Sequence, residues 1–396
     1  MPDPPGTPAP TPAAPGLIDE AINSDVGLLF SPEAPRATSV TEKKEDQRAV
    51  WACVPPTFDL DKPTVLIYLH GFNGYVTVSK TAPTGVIRKT EQGGWVANFR
   101  NDGRRGNTAG TRASGPKYKI DQTFTNHSPL VLVPEVGLPN LQSAVSVDAV
   151  RAARIKFETD NPAPRTPAVE ATGPPDVPPW AFDDVGKCGA ADGLGKLLDN
   201  CFKRLAALPK TAGGPNYLDP AKPLTRTKIK RLFLSGHSGG GKPLAAFVQS
   251  TPTEPATEVL NGTIPTDLWA LDATYNTGAD EYKNFCSKLD AAGKLGFGAG
   301  LSRFVAVVIQ DTGTDKASAK NPGRRITEIV AEINGLKLKA GSVVEVNNFR
   351  AKDASQVTAL EAKLKNPMVV IRVRDVAHDE IPTVFIPIFM RTAATV

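Results

Sequence analysis

The sequence predicts an α/β layer fold, in which a mostly parallel central sheet is flanked by helices. Predominantly apolar runs, each typical of a buried parallel strand, occur at residues 63–69, 129–134, 303–310 and 368–373. Segments with apolar residues at helical spacing alternate with these runs. A further apolar run leads through a glycine-flanked serine directly into a segment that can be helical. This alternation of strand and helix predicts the fold class.

Each element follows from its own local pattern. The run RAVWACV at residues 48–54 predicts an early strand, and PTVLIYL at residues 63–69 predicts a central one because no charged side chain interrupts it. Residues 189–206 predict a helix, since their leucines recur at three- and four-residue intervals. Beyond the serine we expect strands at 267–272, 303–310 and 368–373, helices at 279–294 and 324–334, and a closing segment at 381–392.

One domain is predicted over residues 41–396, after a tail and lead-in at residues 1–40. The first 16 residues are rich in proline and alanine, which favours a semi-rigid disordered tail. Polar residues 75–128 and Pro-rich residues 158–185 are longer than ordinary connections in a compact domain. In this architecture both would lie over the carboxyl edge of the sheet, so we interpret them as lid-like insertions near a substrate site.

The composition argues against several classes of protein. The net charge of +5 is small and no block of Lys and Arg occurs, so nucleic-acid binding is not predicted. No run of about eighteen apolar residues is present, and no transmembrane segment is predicted. The cysteines Cys53, Cys188, Cys201 and Cys286 lack zinc-site spacing, so no metal or cofactor is predicted. Cys188 and Cys201 are close enough in sequence for a disulfide, with buried free thiols as the alternative.

The N-terminus lacks the basic start and apolar core of a signal peptide. Because Pro/Ala-rich tails often follow a cleaved secretion signal, we expect a secreted or periplasmic protein, with a cytoplasmic protein as the alternative. Nothing in the sequence specifies an oligomeric state.

The segment with the most chemical information is Gly236-His237-Ser238-Gly239-Gly240, placed between a predicted strand and a predicted helix. A serine in so tight a turn is forced into a strained backbone conformation, and the glycines Gly236 and Gly240 avoid side-chain clashes. The strain leaves the hydroxyl exposed above the sheet. The segment therefore resembles the nucleophile elbow of the α/β-hydrolase superfamily, of the serine esterase and lipase type.

The same residues also match part of a phosphate-binding P-loop. Gly236 to Lys242 fits the pattern, and Asp272 ends a later strand as a magnesium-binding carboxylate would. The match fails at Pro243, where the motif needs a hydroxyl on the metal. A P-loop-like nucleotide-binding protein is the less favoured interpretation.

Given the elbow, the base is found by elimination among the four histidines. His237 leaves the elbow in another direction, His70 ends a core strand, and His127 lies in a polar insertion. His378 follows the last predicted strand and comes after both the serine and the possible acids, which is the chain order that the resemblance implies. We therefore expect His378 to be the base.

The acid that orients this histidine is an aspartate at a strand end. Asp311 and Asp315 follow the later strand, which is the position that most of the superfamily uses. Asp272 follows the strand directly after the elbow, and its surroundings resemble the acid loop of lipases that place the aspartate there. We favour Asp272, with Asp311 as the alternative.

The resemblance implies an oxyanion hole of two backbone N–H groups. One is expected from Gly239 and the other from Phe72 in His70-Gly71-Phe72, with Asn73 less favoured. Together these motifs predict a serine hydrolase of carboxylic esters that forms an acyl-enzyme from a small or polymeric ester. Cleavage of amides or peptides by the same residues is the alternative, and a non-catalytic binding protein of this fold is less favoured.

Overall fold

A computed structural model describes residues 20–21, 28–30, 50–55, 57–69, 127–134, 147–173, 193–207, 215–248, 257–274, 279–310 and 322–396. Within these residues, ten strands form a single sheet. The strands are β1 (Glu20–Ala21), β2 (Leu28–Phe30), β3 (Val50–Cys53), β4 (Thr64–Leu69), β5 (Leu130–Pro134), β6 (Arg231–His237), β7 (Thr266–Leu271), β8 (Arg303–Ile309), β9 (Val344–Phe349) and β10 (Met368–Val373).

The order of the strands is β1-β2-β3-β5-β4-β6-β7-β8-β10-β9. Strands β4 to β10 are all parallel to one another, whereas β1, β2 and β3 are antiparallel additions at one edge, with β3 paired to β5. The chain passes from β4 to β5 on one side and then to β6 on the other side of β4. In parallel sheets, ligands bind at the carboxyl ends of strands where the direction of winding reverses. The topology therefore directs attention to the ends of β4 and β6.

Helices cover both faces of the sheet and confirm the predicted α/β fold class. They are α1 (Val147–Asp160), α2 (Pro167–Thr172), α3 (Gly193–Ala207), α4 (Gly241–Phe247), α5 (Thr257–Leu260), α6 (Ala279–Ala291), α7 (Pro322–Gly335), α8 (Ala354–Lys363) and α9 (Ile381–Thr392). Apolar side chains alternate along the strands: Ile67 of β4 faces α3, α4, α6 and α7, whereas Tyr68 faces the core that contains α8 and α9. The period of two places both cores on one continuous sheet.

The long parallel strands were predicted to within two residues, whereas the irregular edges were not. Residues 20–21 and 28–30 pair with the sheet although they lie in the predicted lead-in. Strand β9 was not predicted because it is an edge strand, half exposed and interrupted by asparagines. Helix α1 was not predicted either, since its exposed Ile155 weakens the amphipathic pattern. Residues 158–173 of the second predicted insertion are described and contain the end of α1 and all of α2. Residues 75–126 and 174–185 lie outside the described residues.

The predicted disulfide between Cys188 and Cys201 is contradicted at Cys201, which is a free thiol buried in the core under α3. Its burial removes water from the thiol and raises its pKa. Cys286 is also a free, buried thiol, whereas Cys188 lies outside the described residues.

An ion cluster is buried at the amino ends of β6, β7 and β8. The carboxylate of Asp267 accepts from Arg231 Nη1 at 2.6 Å and from Arg303 Nε at 2.7 Å. All three side chains are at most 1% exposed. Further guanidinium N–H groups donate to backbone carbonyls, from Arg231 to Gly298 and from Arg303 to Leu364. Buried charges of this kind persist only when they are paired and hydrogen-bonded, as these are.

We predict that Asp267→Asn destabilises the protein strongly. The amide keeps the shape of the side chain but leaves two buried guanidinium groups without a counter-charge, which costs about 3–5 kcal/mol in the free energy of unfolding. Denaturant unfolding measures the loss. The matched control is Asp160→Asn, which removes the ion pair with Lys156 on side chains that are 53% and 76% exposed. An equal, small effect of both substitutions would contradict the role assigned to the cluster.

Candidate active site

The serine turn has the predicted arrangement of strand, tight turn and helix. Strand β6 ends at His237, a single 3-10 turn covers Ser238–Gly240, and α4 begins at Gly241. Ser238 has φ of 53°, in the left-handed region that residues with a side chain rarely adopt. Strain of this kind is concentrated at functional sites. The three-residue turn also disfavours a P-loop, which needs a longer loop to enclose a phosphate.

Two glycines make the turn possible, and one of them was not assigned to the elbow from the sequence. A Cβ on Gly236 would lie 2.5 Å from the carbonyl oxygen of Gly240, so any side chain there would open the turn. A Cβ on Gly241 would lie 1.8 Å from the carbonyl oxygen of Ala273. The start of α4 therefore packs directly on the backbone that follows β7. The pattern G-x-x-x-x-G contained Gly241, but only as part of the P-loop interpretation.

The structure brings Asp272 and His378 together. His378 Nδ1 lies 2.5 Å from Asp272 Oδ2, although the two residues are 106 positions apart in the chain. Asp272 directly follows β7 and is buried, whereas the His378 side chain is 34% exposed. A buried carboxylate on Nδ1 leaves Nε2 as the nitrogen available for proton transfer.

Both the backbone and the side chain of Asp272 are hydrogen-bonded to strand β8. Its backbone N–H donates to Val307 O at 2.7 Å, and its Oδ1 accepts from Ile309 N at 3.3 Å. Its φ of 45° is also left-handed, as at Ser238. The neighbouring strand thus fixes the carboxylate in an unfavourable backbone conformation that aims it at His378.

His378 begins a short 3-10 turn, His378–Glu380, between β10 and α9. Its ring packs against that of His237 with centroids 4.6 Å apart and planes inclined by 36°. Because His237 immediately precedes Ser238, this contact places the serine turn beside the loop of His378. The contact between His237 and His378 was not predicted from the sequence, where His237 was only excluded as the base. Its position directly before the serine was the one feature that could have indicated a role near the site.

His127 lies away from this group, as expected from its exclusion as the base. It is buried, its Nε2 is 3.5 Å from Ala393 O, and its ring meets Phe233 edge-on. Burial lowers its pKa, because the charged imidazolium would lose its hydration. The contact with Ala393 O and the charge of Asp267 raise the pKa, and the charges of Arg231 and Arg303 lower it, so that it stays below its usual value. His127 is therefore a neutral part of the core beside the amino ends of the strands.

Several predicted site residues lie outside the described residues: His70, Phe72, Asn73, Asp311 and Asp315. The oxyanion donor from Phe72 and the alternative acid Asp311 therefore stay predictions. Gly239, the other predicted donor, directly follows Ser238 in the 3-10 turn. Across the described parts of the chain, no group of three or more His, Cys, Asp or Glu side chains is placed to hold a metal ion. In those same parts, no helix is long and apolar enough to cross a membrane.

No protein-family model matches this chain, and no curated protein sequence matches it. Solved structures similar to it include a feruloyl esterase module from Clostridium thermocellum, at 11% identity over 96% of this chain and 92% of that one, with a TM-score of 0.32. A thermostable esterase matches at 15% identity over 80% and 63% of the two chains, with a TM-score of 0.30. Prolyl oligopeptidase B from Galerina marginata matches at 8% identity over 87% and 34%, with a TM-score of 0.27. Because these identities and TM-scores are low, the fold and the candidate site are assigned from this chain's own strand order and contacts.

We predict that Gly241→Ala destabilises the protein through the contact with Ala273. A methyl group cannot fit 1.8 Å from a carbonyl oxygen, so α4 and the loop after β7 must move apart, at a cost of about 1–3 kcal/mol in the free energy of unfolding. Gly335→Ala at the end of α7 is the control, because nothing lies within 4 Å of its added Cβ. Equal stability of the two variants in denaturant unfolding would show that the backbone contact is not rigid.

Proposed function

We propose that this protein is a serine hydrolase that cleaves carboxylic esters through an acyl-enzyme. The observation that carries the proposal is the 2.5 Å contact between His378 Nδ1 and Asp272 Oδ2, made beside a serine in a strained turn at the end of β6. A nucleophile, a base and a group that orients the base are the parts that acyl transfer requires. Ser238, His378 and Asp272 fill these three roles in our proposal.

In the first half of the reaction, His378 Nε2 takes the proton of Ser238 as the hydroxyl oxygen attacks the ester carbonyl carbon. The carbonyl oxygen becomes negatively charged, and the backbone N–H groups of Gly239 and Phe72 donate to it in this proposal. The resulting imidazolium gives its proton to the departing alkoxide, so that the alcohol leaves and an ester forms on Ser238. Throughout, the buried carboxylate of Asp272 stabilises the cation on His378.

In the second half, a water molecule loses its proton to His378 Nε2 and attacks the carbonyl carbon of the acyl-enzyme, which gives a tetrahedral intermediate. Collapse of this intermediate releases the carboxylic acid, and His378 returns the proton to Ser238. No metal or organic cofactor enters either half. The substrate is an ester of a small molecule or of a polymer, and an amidase or peptidase using the same residues is the second candidate.

The proposal predicts that Ser238→Ala abolishes hydrolysis of p-nitrophenyl butyrate. Loss of the nucleophile costs on the order of 10⁶-fold in turnover, whereas the fold survives because the turn accepts a smaller side chain. A fluorophosphonate probe, followed by peptide mapping, reports on the nucleophile independently. Wild-type protein should be labelled at Ser238 and the variant should not be labelled. A variant that keeps a tenth of the wild-type turnover would rule out Ser238 as the nucleophile. Comparison of the wild-type rates on p-nitrophenyl butyrate and on the p-nitroanilide of butyric acid distinguishes ester cleavage from amide cleavage.

A second prediction concerns the acid. Asp272→Asn should lower turnover by about 10⁴-fold, because the amide no longer stabilises the imidazolium or fixes the tautomer of His378. Asp311→Asn is the matched control and should keep turnover near the wild-type value. Both are measured as kcat for the butyrate ester. A severe defect in Asp311→Asn beside a mild one in Asp272→Asn would transfer the role to Asp311.

A further inference from the structure

His237 connects the serine turn to the loop of the proposed base. It is the last residue of β6, its side chain is buried, and its Nε2 lies 3.0 Å from the backbone carbonyl oxygen of His378. Its ring also covers one face of the His378 ring at 4.6 Å between centroids. The residue before the serine thus contacts both the main chain and the side chain of His378.

The chemistry of this contact assigns the position of a proton. A backbone carbonyl oxygen can only accept, so His237 Nε2 must carry the hydrogen and donate it. The same oxygen accepts from the N–H of Ile381 in the first turn of α9, which uses its second lone pair. A neutral His237 therefore has its proton on Nε2, the opposite tautomer to that of His378, whose Nδ1 faces Asp272.

We propose that His237 is a positioning residue that fixes the backbone of His378, and this role rests on the hydrolase function proposed above. Asp272 holds the Nδ1 side of the His378 imidazole. The hydrogen bond from His237 fixes the Cα end of the same residue. Since both contacts originate from strand ends of one sheet, His378 Nε2 keeps a constant position relative to Ser238.

The ring contact sets a condition on charge. His378 becomes a cation in each half of the reaction, and a second cation with its ring centroid 4.6 Å away would repel it. A donor that is neutral, such as the Nε2–H tautomer of His237, holds the carbonyl without opposing that charge. The Nε2 of a glutamine lies at a distance from the backbone similar to that of a histidine Nε2, so glutamine can replace the donor and also stays neutral.

Two substitutions separate the donor from the ring. His237→Phe keeps a planar ring against His378 but removes the hydrogen-bond donor, whereas His237→Gln keeps the donor and removes the ring. For p-nitrophenyl butyrate, the phenylalanine variant should lose about 10- to 100-fold in kcat with KM changed by no more than about twofold, because misplacement of a base slows the chemical step without altering substrate binding. The glutamine variant should recover most of that loss. Thermal unfolding of both variants checks that the fold is intact.

The tautomer offers a test that does not depend on activity. The chain has only four histidines, so nitrogen NMR of protein with ¹⁵N-labelled histidine can be assigned by comparison with His237→Gln. The expected result is a proton on Nε2 of His237. A proton on Nδ1 with a bare Nε2 would overturn the contact itself.

The remaining outcomes distinguish this inference from the hydrolase proposal. A wild-type protein that neither hydrolyses the ester nor reacts with the fluorophosphonate overturns the hydrolase function, and the positioning role with it. An active wild-type protein whose His237→Phe variant keeps full kcat overturns the positioning role alone. So does a glutamine variant as impaired as the phenylalanine variant, since the donor would then not be the property that matters.

Discussion

The buried carboxylate of Asp267 is the constraint on which the geometry of the site depends. It joins Arg231 at the start of β6 to Arg303 at the start of β8 and so fixes the mutual register of three parallel strands. A strand advances about 3.3 Å per residue, and register fixed at one end of a strand is therefore kept at the other. The opposite ends of these strands carry Ser238 and Asp272. A charge cluster remote from the candidate site thus contributes to where the side chains of the proposed nucleophile and acid lie.

At the carboxyl edge, precision comes from backbone held in unfavourable conformations. Ser238 and Asp272 have φ of 53° and 45°, and both directly follow buried parallel strands. Neither residue is a glycine, so each conformation persists only because its surroundings determine it. Strand β8 holds Asp272 through two hydrogen bonds, and the close approach of Gly241 to Ala273 packs the helix after the serine against the loop after the aspartate. The backbone segments that follow the two strained residues are therefore in direct contact.

Much of this architecture was accessible from local patterns. Strand β10 was predicted with its observed bounds, because a continuous apolar run has few alternatives to a buried strand. The edge strand β9 was not, since it mixes buried and exposed residues, and β1 and β2 are only two and three residues long, too short to give such a run. The disulfide prediction at Cys201 was wrong for a related reason. Closeness in sequence does not reveal which face of a helix a thiol occupies, and this one faces the core.

The sequence by itself determined the class of fold, the serine turn and the order of serine, aspartate and histidine along the chain, because each is a local pattern of residue types. Only the tertiary structure decided which side chains meet. The contact between Asp272 and His378 spans 106 residues and that between His237 and the carbonyl of His378 spans 141. Residues so far apart in the sequence meet only because the strands that precede them lie in the same sheet with their carboxyl ends at one edge. Local propensity carries no information about that pairing, whereas the register of the parallel strands specifies it.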